Sequence, residues 1–249
     1  MEEKEITIDN LKIHYKIAGF HPAILILHGW GSSSEKWQKV GEMLAKNEIK
    51  VIIPDLPGFG KSQEPSFSFN LDNYCQFIEK FISVLNLKKF YLLGHSFGGA
   101  VAVKYALKFP EKIEKLVLIA PALCRRDFLK TKFWGKIAKI SKIFSFFPFY
   151  SLTRRFFYRF IVKSDYLSVK GVMRESYLKI IKENLSEILS SLSIPALIIW
   201  GKRDDVTPLK DAYFINERIK NSKLTIIPEG NHDLEQKFPE TLVKKILEN

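Results

Sequence analysis

The run Gly94-His95-Ser96-Phe97-Gly98 constrains most strongly what this chain can fold into. The residues before it, KFYLL, are typical of a buried strand, and the residues after it, GGAVAVKYALKF, are typical of a helix. A serine between glycines at such a junction fits a tight, strained turn that lifts the hydroxyl above the edge of a sheet. Side chains at Gly94 and Gly98 would collide across that turn. The sequence therefore predicts that Ser96 is a nucleophile.

The rest of the chain alternates between apolar runs and helical patterns. Further buried strands are predicted for AILILHG, KVIIPD, IEKLVLIAP, PALIIW and KLTIIPEG. The first two strands, EITIDN and LKIHYKIAG, are predicted to form a hairpin. Strands that alternate with helices indicate an α/β fold with a mostly parallel sheet covered on both faces.

Residues 122–190 interrupt this alternation. They contain several helical patterns and no buried-strand run, and the alternation resumes after them. We therefore predict one core formed by residues 1–121 and 191–249, with 122–190 inserted as a helical cap. A chain of 249 residues suits one large domain with an insertion. The alternative is that 122–190 is a separate domain.

A serine hydroxyl is a weak nucleophile and needs a base. Among the five histidines, His232 lies in GNHD, directly after the last predicted strand. The carboxyl ends of the strands form the ligand-binding edge of such a sheet, so this loop can reach Ser96. His232 is the predicted base. His14 and His21 lie in or near the first strands and are expected to be incidental, whereas His95 is expected to be packed or hydrogen-bonded inside the turn.

The base in turn needs a carboxylate that fixes its tautomer and stabilises its cation. The segment WGKRDDVTP follows a predicted strand and offers two adjacent acids, Asp204 and Asp205. Residue types and spacing alone leave both open. The acid that is not used would be solvated or would cap the following helix.

Attack on a carbonyl also needs donors for the oxyanion. One predicted donor is the backbone N–H of Phe97, directly after the nucleophile, and the other is the backbone N–H of Trp30, in the loop after AILIL. His28 is expected to organise that loop. The turn-rich segment DLPGFGKS, which begins at Asp55, is interpreted as structural because the nucleotide-binding patterns are absent.

Five segments, in the order HGWGSS, DLPGFGKS, GHSFGG, WGKRDDVTP and GNHD, together resemble the α/β-hydrolase superfamily, in its branch with a helical cap. The resemblance implies about eight strands, of which only the second is antiparallel, and it assigns the triad acid to Asp204. Haloalkane dehalogenases and epoxide hydrolases use an aspartate where this chain has Ser96, and HGWGSS does not match the oxyanion motif of proline iminopeptidases. What remains is similar to carboxylesterases, lipases, lactonases, thioesterases and carbon–carbon bond hydrolases.

The predicted function is therefore hydrolysis of carboxylic esters of apolar substrates, through Ser96, His232, Asp204 and an acyl-enzyme. Lactone or carbon–carbon bond hydrolysis with the same triad is the alternative, and an acyltransferase or a non-enzymatic ligand receptor is a more distant one. The expected partner is a small-molecule ester or lactone, with no cofactor and no metal. Two cysteines without motif spacing and the absence of a signal-peptide pattern favour the cytoplasm.

Charge is concentrated in the predicted cap. The net charge is +12, and residues 122–190 carry fifteen Lys and Arg against five Asp and Glu. Residues 128–160 also contain twelve aromatics, which favours a lid that roofs an apolar pocket. Two other interpretations are association with an anionic membrane surface and steering of anionic substrates. No nucleic-acid recognition motif is present, so nucleic acid is not an expected partner.

Overall fold

A computed structural model describes residues 1–124 and 170–249 of the chain. Most of the predicted cap lies outside these residues. Only its ends, 122–124 and 170–190, are described, so the predicted domain boundaries stay predictions.

Eight strands form one sheet in the order β1-β2-β4-β3-β5-β6-β7-β8. The strands are β1 Glu2–Ile8, β2 Leu11–Ala18, β3 Ala23–Leu27, β4 Lys50–Pro54, β5 Phe90–His95, β6 Ile113–Ile119, β7 Ala196–Gly201 and β8 Ser222–Ile227. Strand β2 runs antiparallel to both of its neighbours, and every other pair is parallel. The α/β-hydrolase sheet that the sequence predicted, including its single antiparallel strand, is confirmed.

Helices cover both faces of this sheet. They are α1 Gln38–Ala45, α2 Leu71–Val84, α3 Phe97–Lys108, α4 Gly171–Ile180, α5 Leu209–Arg218, α6 Leu234–Lys237 and α7 Pro239–Leu247. Short 3₁₀ helices span Ser34–Trp37, Pro110–Lys112 and Ser186–Ser191. Strand β3 shows the two layers clearly, because Leu25 and Leu27 pack with α2 and α3 whereas Ile24 and Ile26 pack with α1 and α7.

Two helix starts illustrate where the local sequence decides the structure. Asn70 caps α2 in a reciprocal pair of hydrogen bonds with Asn73. Ser34 opens the segment SEKWQKVGEMLAKN, where a serine is typical of a cap, but no side chain caps the helix that starts there. The backbone N–H of Ser34 donates to the distant carboxylate of Asp55 at 2.6 Å, and a 3₁₀ turn starts there.

The loops that carry the predicted chemistry gather at one edge of the sheet. They follow the carboxyl ends of β3, β5, β7 and β8. Because these strands are parallel and adjacent or nearly so, their carboxyl ends meet at this edge.

Candidate active site

The turn at Ser96 joins β5 to α3. Ser96 has φ 51° and ψ −114°, a backbone conformation that a residue with a side chain rarely adopts. A Cβ on Gly94 would lie 2.4 Å from the carbonyl oxygen of Gly98, so only glycine fits where the strand passes the start of the helix. The N–H of Ser96 donates to the carbonyl of Ile119, at the end of β6, at 3.0 Å. The strained turn is thereby fixed to the neighbouring strand.

The Ser96 side chain is half-buried at the N-terminus of α3. Its hydroxyl forms no hydrogen bond with another residue that the structure describes. Hydrogen bonds to a nucleophile are often long without substrate and shorten in the complex.

The acid loop separates the two candidate carboxylates. The Asp204 side chain is fully buried, whereas Asp205 is exposed. Asp204 accepts hydrogen bonds from the backbone N–H groups of Val206 and Thr207 and from the Thr207 hydroxyl, each at 2.8 Å. The structure therefore directs Asp204, and not its neighbour, into the site.

His232 lies in the loop after β8, and its Nδ1 is 2.8 Å from Oδ2 of Asp204. Burial by itself would raise the pKa of Asp204, but the hydrogen bond and charge of His232 and the hydrogen bonds from Thr207 outweigh it. The pKa of Asp204 consequently lies below its usual value. An ionised Asp204 only accepts, so Nδ1 of His232 carries the proton of this hydrogen bond and donates it.

Phe97, one of the two predicted oxyanion donors, starts α3 directly after Ser96, and the loop that carries the other, Trp30, lies against this turn, since a Cβ on Gly29 would be 3.4 Å from Cβ of Ser96. Neither the N–H of Trp30 nor that of Phe97 donates to another residue that the structure describes. The Trp30 ring packs edge-on against Phe59 at 4.8 Å and Phe97 at 5.3 Å, and it lies 5.2 Å from the ring of Tyr177 on α4. The side chains of Trp30 and Phe97 therefore belong to one aromatic cluster with Phe59 and Tyr177.

Two buried side chains hold the Trp30 loop in place. Nδ1 of His28 donates to the carbonyl of Gly29 at 2.8 Å, and Nε2 of His28 accepts from the N–H of Leu56 at 3.0 Å. Burial lowers the pKa of His28, which agrees with the neutral ring that this acceptor role requires. His28 thus links the loop after β3 to the loop after β4.

The second of these side chains is Asp55. It accepts from the N–H of Ser34 at 2.6 Å, from the N–H of Lys61 at 2.9 Å and from Nδ1 of His14 at 2.9 Å. The other ring nitrogen of His14 lies 3.1 Å from Oε2 of Glu3. His14 thus bridges two carboxylates between the first hairpin and this loop, which gives it a structural role, while its expected lack of a catalytic role stays a prediction. Its partners lie 11 and 41 residues away along the chain, so no local pattern indicates the contact.

Sequence reasoning also missed Glu235, on the short helix α6 three residues after His232. Glu235 is 2% exposed, and its Oε2 has no hydrogen-bond partner among the described residues. Burial, with a smaller contribution from the charge of Asp233, raises the pKa of Glu235 to about 7. A lone glutamate in a polar stretch gives no sign that it is buried.

The helix that leads back from the predicted cap is fixed to the core beside the site. Ser176 on α4 accepts from the N–H of Phe69 at 2.9 Å, and Nζ of Lys179 donates to the carbonyl of Ser68 at 2.9 Å.

Residues 1–124 and 170–249 contain no group of three His, Cys, Asp or Glu side chains arranged to hold a metal ion.

Comparisons with known proteins define the class to which this chain belongs. Residues 22–234 match the family model for the alpha/beta hydrolase fold. The match spans most of the chain, so the chain belongs to the α/β-hydrolase family.

Individual relatives are more distant. The chain is 26% identical to human monoacylglycerol lipase ABHD6 over 92% of its own length and 75% of the relative. Among solved structures, it resembles a bacterial membrane phospholipase A with a TM-score of 0.78 and 23% identity, over 99% of this chain and 84% of that one. It also resembles the meta-cleavage product hydrolase CumD, with a TM-score of 0.73 and 21% identity, over 99% of this chain and 98% of that one. The two structures support the fold alone.

Proposed function

We propose that this hydrolase cleaves carboxylic esters of apolar substrates through Ser96, His232 and Asp204. The observation that carries the proposal is the buried Asp204 carboxylate, 2.8 Å from Nδ1 of His232, at the sheet edge that also holds the strained turn at Ser96. The similarity to a monoacylglycerol lipase adds support, since that relative's name specifies an ester substrate.

In the proposed reaction, Oγ of Ser96 attacks the ester carbonyl carbon while Nε2 of His232 takes the hydroxyl proton. The carbonyl oxygen becomes an oxyanion that accepts from the N–H groups of Trp30 and Phe97. Asp204 holds the ring of His232 and stabilises its cation. His232 then returns the proton to the departing alkoxide, and an alcohol leaves.

The acyl group stays on Ser96 as an ester. A water molecule attacks it as His232 takes one of the water protons. His232 then gives that proton to Oγ of Ser96 as the bond between Oγ and the acyl carbon breaks, and the carboxylic acid leaves. The rings of Trp30, Phe59, Phe97 and Tyr177 support the choice of an apolar substrate, because they form a continuous aromatic cluster beside the proposed oxyanion donors.

The first prediction concerns the nucleophile. We expect Ser96→Ala to reduce kcat/KM for a short-chain aryl ester such as 4-nitrophenyl butyrate by at least about 10³-fold, because no oxygen remains to form the acyl-enzyme. Circular dichroism should show an unchanged fold. The matched control is Ser66→Ala, at an exposed serine away from the site, which should keep wild-type turnover. Turnover by Ser96→Ala at the wild-type rate would contradict the proposal.

A second candidate is hydrolysis of a carbon–carbon bond or a lactone with the same triad. The meta-cleavage product hydrolase that shares this fold is an example of such a reaction on the same scaffold. A panel of linear esters, lactones and vinylogous diketones separates these reactions. The substrate class that is turned over with the highest kcat/KM identifies the reaction. Ser96→Ala should abolish turnover of every substrate in the panel. Transfer of the acyl group to an added alcohol in preference to water would indicate an acyltransferase, and probe labelling without turnover a ligand receptor.

Two further proposals concern the compartment in which this hydrolase acts and the surface to which it binds. We propose that it works in the cytoplasm, because the chain has only two cysteines, without motif spacing, and so no pattern of a disulfide framework. We also propose that residues 122–190 associate with anionic membrane surfaces through their excess of Lys and Arg. No helix among the described residues is long and apolar enough to cross a membrane.

A further inference from the structure

One buried imidazole beside the site has no part in the proposed reaction. His95 is the last residue of β5, directly before Ser96, and it is 4% exposed. Its Nε2 lies 3.0 Å from the backbone carbonyl oxygen of His232, 137 residues further along the chain. This hydrogen bond directly connects the turn that carries the nucleophile to the loop that carries the base.

The partner of this bond fixes the tautomer of His95. A carbonyl oxygen only accepts, so Nε2 of His95 carries the proton and donates it. Burial, with a smaller contribution from the charge of His232, lowers the pKa of His95 to about 3, so the ring is neutral and Nδ1 is unprotonated. Nδ1 has no hydrogen-bond partner among the described residues. A Cβ at Gly29 would lie 3.1 Å from it, so the glycine allows the ring this position.

A neutral ring is what the neighbouring base requires. The rings of His95 and His232 are 4.8 Å apart between centroids. In the proposed reaction His232 becomes a cation, and a second positive charge at this distance would oppose that step. A neutral donor fixes the base without this electrostatic cost.

His232 is then fixed at two separate points. Asp204 binds its ring through Nδ1, and His95 binds its backbone carbonyl. Two fixed points restrict both the rotation of the ring and the position of the loop that carries it. A displacement of a reacting group by about 1 Å can reduce a rate about 100-fold.

We propose that His95 is a positioning residue, which aligns His232 with Ser96 by donating from Nε2 to the backbone carbonyl of His232. The proposal rests on the proposed function, in which His232 is the base for Ser96. Its competitor is a simple packing role, since the Trp37 ring also lies against His95, with centroids 5.9 Å apart.

Three substitutions distinguish donation from packing. Gln places an amide N–H at about the reach of Nε2, Asn places its amide near Nδ1 and falls short of the carbonyl, and Leu fills space without a donor. We expect His95→Leu and His95→Asn to lower kcat for the aryl ester roughly 10- to 100-fold with KM within about threefold of wild type. His95→Gln should recover most of the lost rate. If the Leu variant does not fold, His95→Gln and His95→Asn are compared with each other. Both side chains are amides, so they differ in the position of the donor and not in polarity.

The rate of labelling by a fluorophosphonate probe provides a second readout. Labelling depends on activation of Ser96 and not on the choice of ester, so it should follow the same order, with Gln near wild type and Asn and Leu slow. Equal labelling rates in the three variants, or losses that follow the melting temperature instead of the donor position, would overturn the role of His95. A wild-type protein that labels but hydrolyses no ester would overturn the proposed ester substrate and leave the test of His95 intact.

Discussion

At the scale of single residues, the acid loop offers a direct comparison between neighbours. Asp204 is buried and bonded to His232, whereas Asp205 is exposed one residue further on. We expect Asp204→Asn to lower kcat roughly 10³- to 10⁴-fold, because an amide can donate to Nδ1 and favour the wrong tautomer of His232. Asp205→Asn is the matched control and should keep kcat near wild type. Steady-state kinetics on one aryl ester measures both, and a larger loss at Asp205 would reverse the assignment.

The same pair shows how far single residues can be predicted from the sequence. The glycines around Ser96 impose a local requirement, so the turn was predictable from five residues. Asp204 and Asp205 share chemistry and almost share position, and only the resemblance to a family separated them in the sequence. What separates them physically is burial, which depends on the packing of the loops after β7 and β8.

At the scale of elements, the short helix α6 brings an ionisable group into the core. It packs against the 3₁₀ helix Ser34–Trp37, and its residue Glu235 is 2% exposed. The charges that act on Glu235 are those of Asp233, which raises its pKa, and of Lys36 and His232, which lower it. Burial exceeds them all, which places the pKa of Glu235 at about 7 instead of 4.5. In the folded protein this carboxyl therefore holds its proton to a higher pH than in the unfolded chain.

This shift predicts a pH-dependent stability. Because the folded-state pKa is raised, the contribution of Glu235 is fully present below about pH 4.5 and is lost as the pH rises to about 7. The loss amounts to roughly 3 kcal/mol at about 1.4 kcal/mol per pKa unit. We expect Glu235→Gln to raise the free energy of unfolding relative to wild type at about pH 8, by up to ~3 kcal/mol more than at about pH 4.

Urea unfolding at the two pH values measures this difference. Comparing the two conditions cancels any pH-independent effect of the amide. Glu217→Gln, at an exposed glutamate, is the control and should give the same small effect at both pH values. An effect of Glu235→Gln that does not change with pH would show that this carboxyl does not titrate within the fold.

Elements were easier to predict than their contacts. The strands of the parallel sheet were evident because burial on both faces requires uninterrupted apolar runs, as in β3 and β7. The helix α6 and the 3₁₀ turn at Ser34 were missed, since both depend on partners distant in the sequence. For Ser34 that partner is Asp55, whose carboxylate accepts a hydrogen bond from the backbone N–H of Ser34.

At the scale of the whole molecule, the distribution of charge is very uneven. Residues 122–190 carry fifteen of the 39 Lys and Arg but only five of the 27 Asp and Glu. A membrane with anionic lipids attracts such a segment by about 1 kcal/mol for each basic residue near the surface, and salt screens the attraction. Sequence alone defines this asymmetry, because charge counts need no knowledge of packing.

We expect the protein to cosediment with phosphatidylserine-containing vesicles at low salt and to dissociate from them at about 0.5 M NaCl, because the attraction is electrostatic. It should not bind vesicles of phosphatidylcholine alone. One variant replaces three cap lysines by Gln, namely Lys136, Lys139 and Lys142. Its control makes the same change in net charge at three exposed core lysines, namely Lys46, Lys88 and Lys89. The cap variant should lose most vesicle binding and the core variant little. Equal losses would mean that net charge acts without a dedicated surface, and no binding by the wild type would refute association with anionic membranes.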